Sequence, residues 1–328
     1  MKRQLLTGIA LAAAGALALA GCSNGGSEST DNGGDAASYK IGISQLVQHP
    51  ALDAATAGFQ KAFDDAGVDV EFDVQNANGE QATAVTIAQT FASQDLDLVL
   101  AVATPAAQAL AQAITDKPVL FTAVTDAVAA ELVDSNEKPG GNITGTSDMA
   151  PIDEQLKLLK ELVPDAKKVG IVYASGEVNS QVQVDAAEKA APDLGLEIVS
   201  TTVTTANDIQ QATEALGDVD AIYVPTDNMV VSGISSLVQV AEAKQIPVIG
   251  AESGTVEGGA VATLGIDYEQ LGYQTGEMAL KILQDGADPA TMPVEVSKTF
   301  TYVVNPGAAE RMGVTIPKEI LDQAETVE

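Results

Sequence analysis

The sequence predicts an α/β protein of two Rossmann-like lobes, each carrying a parallel sheet, joined by a multi-strand hinge. Two observations carry this. Short β-rich apolar runs alternate with segments of helical period, the pattern of βαβ units, and their order repeats once along the chain. "KIGISQ" from Lys40 has a counterpart in "KVGIVY" from Lys168, and "DLDLVLAVATPA" from Asp95 in "DVDAIYVPTDNM" from Asp218. "KPVLFTAVTD" from Lys117 then matches "QIPVIGAESG" from Gln245, and "GGNITGTSD" from Gly140 matches "GGAVATLGID" from Gly258. Four landmarks in one order indicate two similar halves.

Residues before the first landmark have another purpose. Met1-Lys2-Arg3 is a short positive start, and Leu5 to Ala20 is an Ala/Leu-rich stretch too short to span a bilayer but suited to a signal peptide. The chain is therefore expected to be exported. It has one cysteine, Cys22, and a lone cysteine makes no internal disulfide. "LAGC", Leu19 to Cys22, resembles the lipobox of bacterial lipoproteins, which implies a diacylated Cys22 as the first mature residue. The Gly/Ser/Asp/Asn segment after it reads as a flexible tether. The expected division is 1–21 signal peptide and 22–38 tether. Residues 39–147 plus about 271–298 then form lobe 1, and 148–270 plus about 299–328 form lobe 2.

Helices fill the intervals. "ALDAATAGFQKAFDDAG" sets Leu52, Ala55, Phe59, Ala62, Phe63 and Ala66 on one stripe, with Pro50 at a first helical position. "PIDEQLKLLKELVPDAKK" turns Leu156, Leu159 and Leu162 inward, ends at Pro164 and should join the lobes. "EQLGYQTGEMALKILQDG" adds a helix after the second repeat, with Leu271, Met278, Ala279, Ile282 and Leu283 toward a core. The β-like run in "PVEVSKTFTYVVNPG" suggests that the chain passes between lobes more than once.

Composition narrows the function. A net charge of -30 repels nucleic acid and anionic lipid headgroups. With one His and one Cys, the nucleophile arrangements of hydrolases lack parts, and no zinc spacing, Walker loop or G-x-G-x-x-G occurs. No enzymatic activity, cofactor or metal is expected. Sugar stacking is disfavoured by the absence of Trp and the presence of only 6 Tyr and 6 Phe.

In open parallel sheets ligands bind beyond the carboxyl ends of the strands. That places Ser44, Gln45, His49, Thr104, Pro105, Thr125, Asp126, Ser147 and Asp148 at one wall of a cleft. Ser175, Asn179, Ser180, Thr226, Asp227, Asn228, Glu252, Ser253 and Asp267 stand at the other. After the leader the only arginine is Arg311, so guanidinium clamps on phosphate or dicarboxylate are improbable. A single carboxylate suits the backbone amides and hydroxyls of a helix start such as "TPAAQ" from Thr104, and an ammonium suits Asp227 or Asp126. The inventory favours a small zwitterion. Each of these residues is also an ordinary N-cap or turn former, and His49, just before Pro50, suits a cap as well as a contact.

Taken together, "QHPALDAATAGFQKAF", "ATPAAQALAQ", "PVLFTAVTDAVAAELV", "GGNITGTSD", "VPTDNMVVS" and "IPVIGAESGTVEGGAVATLGIDYEQLGYQTGEMALKIL" resemble ABC transporter substrate-binding lipoproteins of the tryptophan/tyrosine-uptake type. The resemblance implies a type I periplasmic-binding-protein fold with three hinge crossovers and a ligand, an aromatic amino acid, trapped in the cleft. It implies a monomer, lipid-anchored at the outer face of the cell membrane or on its periplasmic side. The partners would be a membrane permease and its cytoplasmic ATPase. A ligand-sensing lipoprotein for another amino acid, a sugar or a nucleoside, feeding a signalling partner, is the alternative.

Overall fold

Buried runs of Val, Ile and Leu build two sheets of the same strand order. The computed structural model describes residues 38–297 and 299–327; the expected signal peptide, Cys22 and most of the expected tether fall outside them. The first five strands are β1 (Tyr39–Gln45), β2 (Val70–Asn76), β3 (Leu98–Val102), β4 (Val119–Val124) and β5 (Ile143–Ser147). The second five are β6 (Lys168–Ala174), β7 (Glu197–Val203), β8 (Ala221–Val224), β9 (Val248–Gly250) and β10 (Ala262–Gly265). Short returns follow as β11 (Glu295–Val296), β12 (Thr301–Val304) and β13 (Glu325–Thr326). One sheet runs β11-β5-β4-β3-β1-β2, the other β13-β12-β10-β9-β8-β6-β7. Five strands of each therefore share one order, all paired in parallel, and β12 joins β10 antiparallel.

The four matched motifs are β1/β6, β3/β8, β4/β9 and β5/β10. β2 and β7 escape the sequence reading because both lie at sheet edges with half-exposed residues, so neither leaves a continuous apolar run.

Helices cover the sheets. α1 (Pro50–Ala66), α2 (Gln81–Ser93) and α3 (Thr104–Ala113) belong to the first half. α4 (Ile152–Leu162), α5 (Val178–Ala190), α6 (Ile209–Ala215), α7 (Asn228–Ser232), α8 (Ile234–Lys244) and α9 (Ser253–Glu257) belong to the second. α10 (Tyr268–Asp285), α11 (Pro306–Arg311) and α12 (Lys318–Leu321) close the chain. None of the described helices is long and apolar enough to cross a membrane.

Two apolar cores result. α10 buries Leu271, Met278, Ala279 and Ile282 with the first sheet, whereas α4 buries Ile152, Leu156, Leu159 and Leu162 with the second. The chain thus crosses between the sheets three times: between β5 and α4, between β10 and α10, and between β11 and β12. On α1 the stripe holds except at Ala66, which is exposed at the last turn. Phe59, Phe63 and Phe72 pack with ring centroids 5.3 to 6.3 Å apart, and α1 and α10 approach backbone to backbone. A Cβ at Gly58 would overlap the Glu269 carbonyl, and one at Gly272 the Ala55 carbonyl.

Candidate functional site

Loops at the carboxyl edges of both sheets meet around one enclosed cavity. The first lobe supplies His49 and Leu52 from the start of α1, with Ala123 and Thr125 at the end of β4. Asn179, Thr226, Asp227, Asn228, Val231 and Glu252 come from the second. Asp148 and Tyr268 stand on the first two crossovers. Free volume amounts to about 10 Å³ for the centre of a water, room for about one molecule. No lining residue is Lys or Arg.

The second-lobe wall is built on carboxylates that cap local backbone. Asp227 opens α7: Oδ1 accepts from the Val230 amide at 2.8 Å. Its Oδ2 accepts from the Ala174 amide at 2.6 Å and the Ser180 hydroxyl at 2.7 Å. Behind it, Glu177 accepts from the amides of Asn228 and Met229 and from the side chains of Asn179 and Asn228. Glu252 caps α9 through Oε2, which accepts from the Gly254 amide at 2.6 Å; its Oε1 is buried without a partner. Asn179 Oδ1 is likewise unpaired, while its amide nitrogen donates to the Thr226 carbonyl.

Burial sets the charges. It raises Glu252 to about 7 against the pull of the Gly254 amide. Glu177 also rises to about 7, through burial first and the charge of Asp227 second. Asp227 and Asp148 are pushed up by burial too, each opposed by its hydrogen bonds. Asp148 accepts from the Thr125 hydroxyl at 2.9 Å and from the Tyr268 hydroxyl at 2.9 Å. His49 moves the other way, to about 4, because burial disfavours the imidazolium more than Asn228 and Asp53 favour it. Neither of its ring nitrogens makes a well-formed hydrogen bond.

Contacts between the lobes are few. Thr125 Oγ1 lies 3.3 Å from Thr226 Oγ1, and Gln81 Nε2 donates to the Gly176 carbonyl at 3.1 Å beside a wider groove. That groove, about 660 Å³, includes Pro105 and shares Asn228 with the cavity.

Of the residues singled out from sequence, His49, Thr125, Asn179, Thr226, Asp227, Asn228, Glu252 and Asp148 line the cavity. The others do not. Ser147 donates to the Thr125 carbonyl and Ser180 to Asp227, each one step behind the wall. Asp126 caps the Val128 and Ala129 amides through Oδ1 and stands outside the lining, and Asp267 caps Gln270. Asp227 lines the cavity, but both oxygens are already engaged by its own lobe. Ser44 and Thr104 are buried with unpaired hydroxyls away from the lining. Leu52, Ala123, Val231 and Tyr268 were missed as lining. Spacing could have found Val231, one helical turn beyond Asp227, and Tyr268 directly follows a strand-end carboxylate. Among the described residues no cluster of His, Cys, Asp and Glu is placed to hold a metal ion.

Residues 40–328 match the family described as ABC transporter substrate binding protein. The chain is 43% identical over 313 residues to the tyrosine-binding protein of Clostridioides difficile strain R20291, covering 93% of this chain and 90% of that protein. A domain from Streptococcus pneumoniae in complex with L-Trp superposes with a TM-score of 0.86 at 38% identity, covering 89% of this chain and 100% of its own. The ligand-free, open structure of a substrate-binding protein with adhesive properties from Clostridium difficile gives 0.69 at 45% identity, covering 88% and 99%.

Proposed function

The chain belongs to the ABC transporter substrate-binding protein family, and we propose that it captures an aromatic amino acid in the cavity between its lobes. Its fold is that of type I periplasmic binding proteins, and such a component works on the extracytoplasmic side as the receptor of an importer. The observation that carries the ligand reading is the pair of unpaired acceptors, Glu252 Oε1 and Asn179 Oδ1, in a cavity that no basic side chain lines. Unpaired buried acceptors are costly unless something donates to them, and an ammonium has three donors. The carboxylate end is met by the hydroxyl of Thr226 and the imidazole of His49. Leu52, Val231 and the ring of Tyr268 supply apolar surface for the side chain. The tyrosine-binding relative and the L-Trp complex support the aromatic class.

Capture works by closure. A cavity of about one water holds no amino acid, so the lobes part to load it and then close around the ligand less far than they do without it, with ligand contacts on both walls drawing the population to the closed form. The better superposition on the L-Trp complex than on the more similar open structure supports a closed arrangement here. Residues 39–147 with about 271–298 move as one lobe, 148–270 with about 299–328 as the other. Acylated Cys22 tethers the receptor to the membrane, where the closed form docks on a permease served by a cytoplasmic ATPase. Denaturing the purified protein and weighing what it releases, then comparing thermal shifts, tests the ligand. Stabilisation by tyrosine or tryptophan is the expected result; stabilisation by a sugar or nucleoside and by no amino acid overturns it.

A further inference from the structure

Glu252 lines the ligand space, and its Oε1 is buried without a well-formed hydrogen bond. Its surroundings make a bare negative charge there hard to sustain. Asp148, held by Thr125 and Tyr268, faces it from the first crossover, and its charge disfavours a second one nearby. Tyr268 faces it from α10 and Glu257 from its own short helix. Tyr223 of β8 stands next to Tyr268, with its hydroxyl donating to Gln155. Asp227 stands on the same second-lobe wall and the neutral ring of His49 on the first, and no Lys or Arg lines the space. A positive charge brought by the ligand is then the only cation in the cavity.

Resting on the amino-acid reading above, we propose that Glu252 makes an ammonium group obligatory in the ligand, taking it up as an ion pair while releasing its own proton to solvent. The empty cavity holds a neutral carboxyl at Glu252; the loaded cavity holds a carboxylate–ammonium pair that is neutral in itself, while the ligand's own carboxylate leaves one negative charge more, matching the proton given to solvent. A ligand without the ammonium leaves the proton in place and forfeits the pair. The position of Glu252 near pH 7 puts this exchange in the physiological range.

Titration calorimetry of the full-length wild-type protein with L-tyrosine and L-tryptophan, in buffers of different ionisation enthalpy from pH 5.5 to 9, reads the proton directly. Release approaching one proton at pH 6 is expected, fading above pH 8. Affinity should climb up to tenfold per pH unit below pH 7 and level off above it. In Glu252→Gln, whose amide oxygen can still accept from Gly254, release disappears and affinity at pH 8 falls about 10- to 100-fold. Glu257→Gln removes a negative charge that helps hold Glu252 up and should still release a proton, with its affinity profile moved to lower pH. The deaminated analogue 3-(4-hydroxyphenyl)propanoate binds wild type at least about 100-fold more weakly than L-tyrosine and releases no proton. Proton-free binding of the amino acids by wild type, or unchanged release in Glu252→Gln, overturns the proposal, and the wild-type series decides even if the variant fails to fold. No heat with any amino acid would instead sink the ligand reading itself.

Discussion

Behind the first-lobe wall of the cavity, α1 and α10 meet through Gly58 and Gly272, whereas the second-lobe wall is fixed by carboxylates bonded to the amides beside them. Both lobes descend from one strand order. Yet Leu52 and Ala123 of the first are placed by packing, with His49 its titrating group, and Asp227, Glu177 and Glu252 of the second by hydrogen bonds. Packing fixes position without charge and is insensitive to pH. Buried carboxylates fix position at the cost of desolvation and therefore respond to protons. The first wall is a shaped lid and the second a chemically committed receptor.

The largest effect should come from breaking the packed side. Gly272→Ala drives a methyl into the Ala55 carbonyl, a backbone clash that no rotamer relieves, and should cost about 3 kcal/mol or more in chemical denaturation. The pH profile of stability should keep its shape, since no titrating group is touched. A loss under about 1 kcal/mol would mean that the helices can slide apart and that packing does not hold this wall.

Next comes the pH response of the bonded side. Glu177 and Glu252 rise from 4.5 to about 7 on folding, so the folded form binds more protons between those values and stability falls as pH climbs through that window. His49 drops from 6.5 to about 4, and its contribution grows from pH 4 to 6.5. Two carboxylates outweigh one imidazole, and between pH 6.5 and 7 they act alone. The net loss is on the order of 3 kcal/mol, so the melting temperature of ligand-free protein should fall by several degrees between pH 5 and 7.5. A rise over that range would refute the picture of the second wall.

Asp227→Ala sharpens the same contrast at smaller cost. It strands the amides of Ala174 and Val230 and the hydroxyl of Ser180, each worth about 1–3 kcal/mol, but it also removes a buried charge. The two partly cancel, leaving about 2 kcal/mol of lost stability together with weaker ligand binding by calorimetry. Normal stability with weaker binding would make Asp227 a direct ligand contact rather than a scaffold.

What the sequence disclosed follows from the same physics. Buried strands such as β3 and β8 write themselves as apolar runs, and repetition makes them recognisable; the half-exposed edges β2 and β7 do not. Strand-end Asp, Glu, Ser and Thr were legible as a group, because only loops there carry such residues toward a cleft. Which of them turns inward was not legible: Asp126 and Asp267 cap helices or turns with the same chemistry that Glu252 uses, and only the tertiary path leaves Glu252 Oε1 free. Apolar lining residues such as Val231 look like any core residue until the opposite lobe covers them.

The smallest effect should lie where the two kinds of wall touch. Gln81 Nε2 donates to the Gly176 carbonyl across the lobes, as Thr125 and Thr226 meet across them, and Gln81 is exposed. An exposed hydrogen bond exchanges with water at little net gain, so Gln81→Ala should leave the unfolding free energy within about 0.5 kcal/mol of wild type. If ligand contacts drive closure, its loss should weaken amino-acid affinity by no more than about threefold, since a few tenths of a kcal/mol is all the latch can add to the closed state. Small-angle scattering of the ligand-saturated variant should still report the closed dimensions of wild type. An affinity loss of about thirtyfold or more, or a ligand-saturated variant that stays open, would show that the lobes are latched by each other rather than by what they hold.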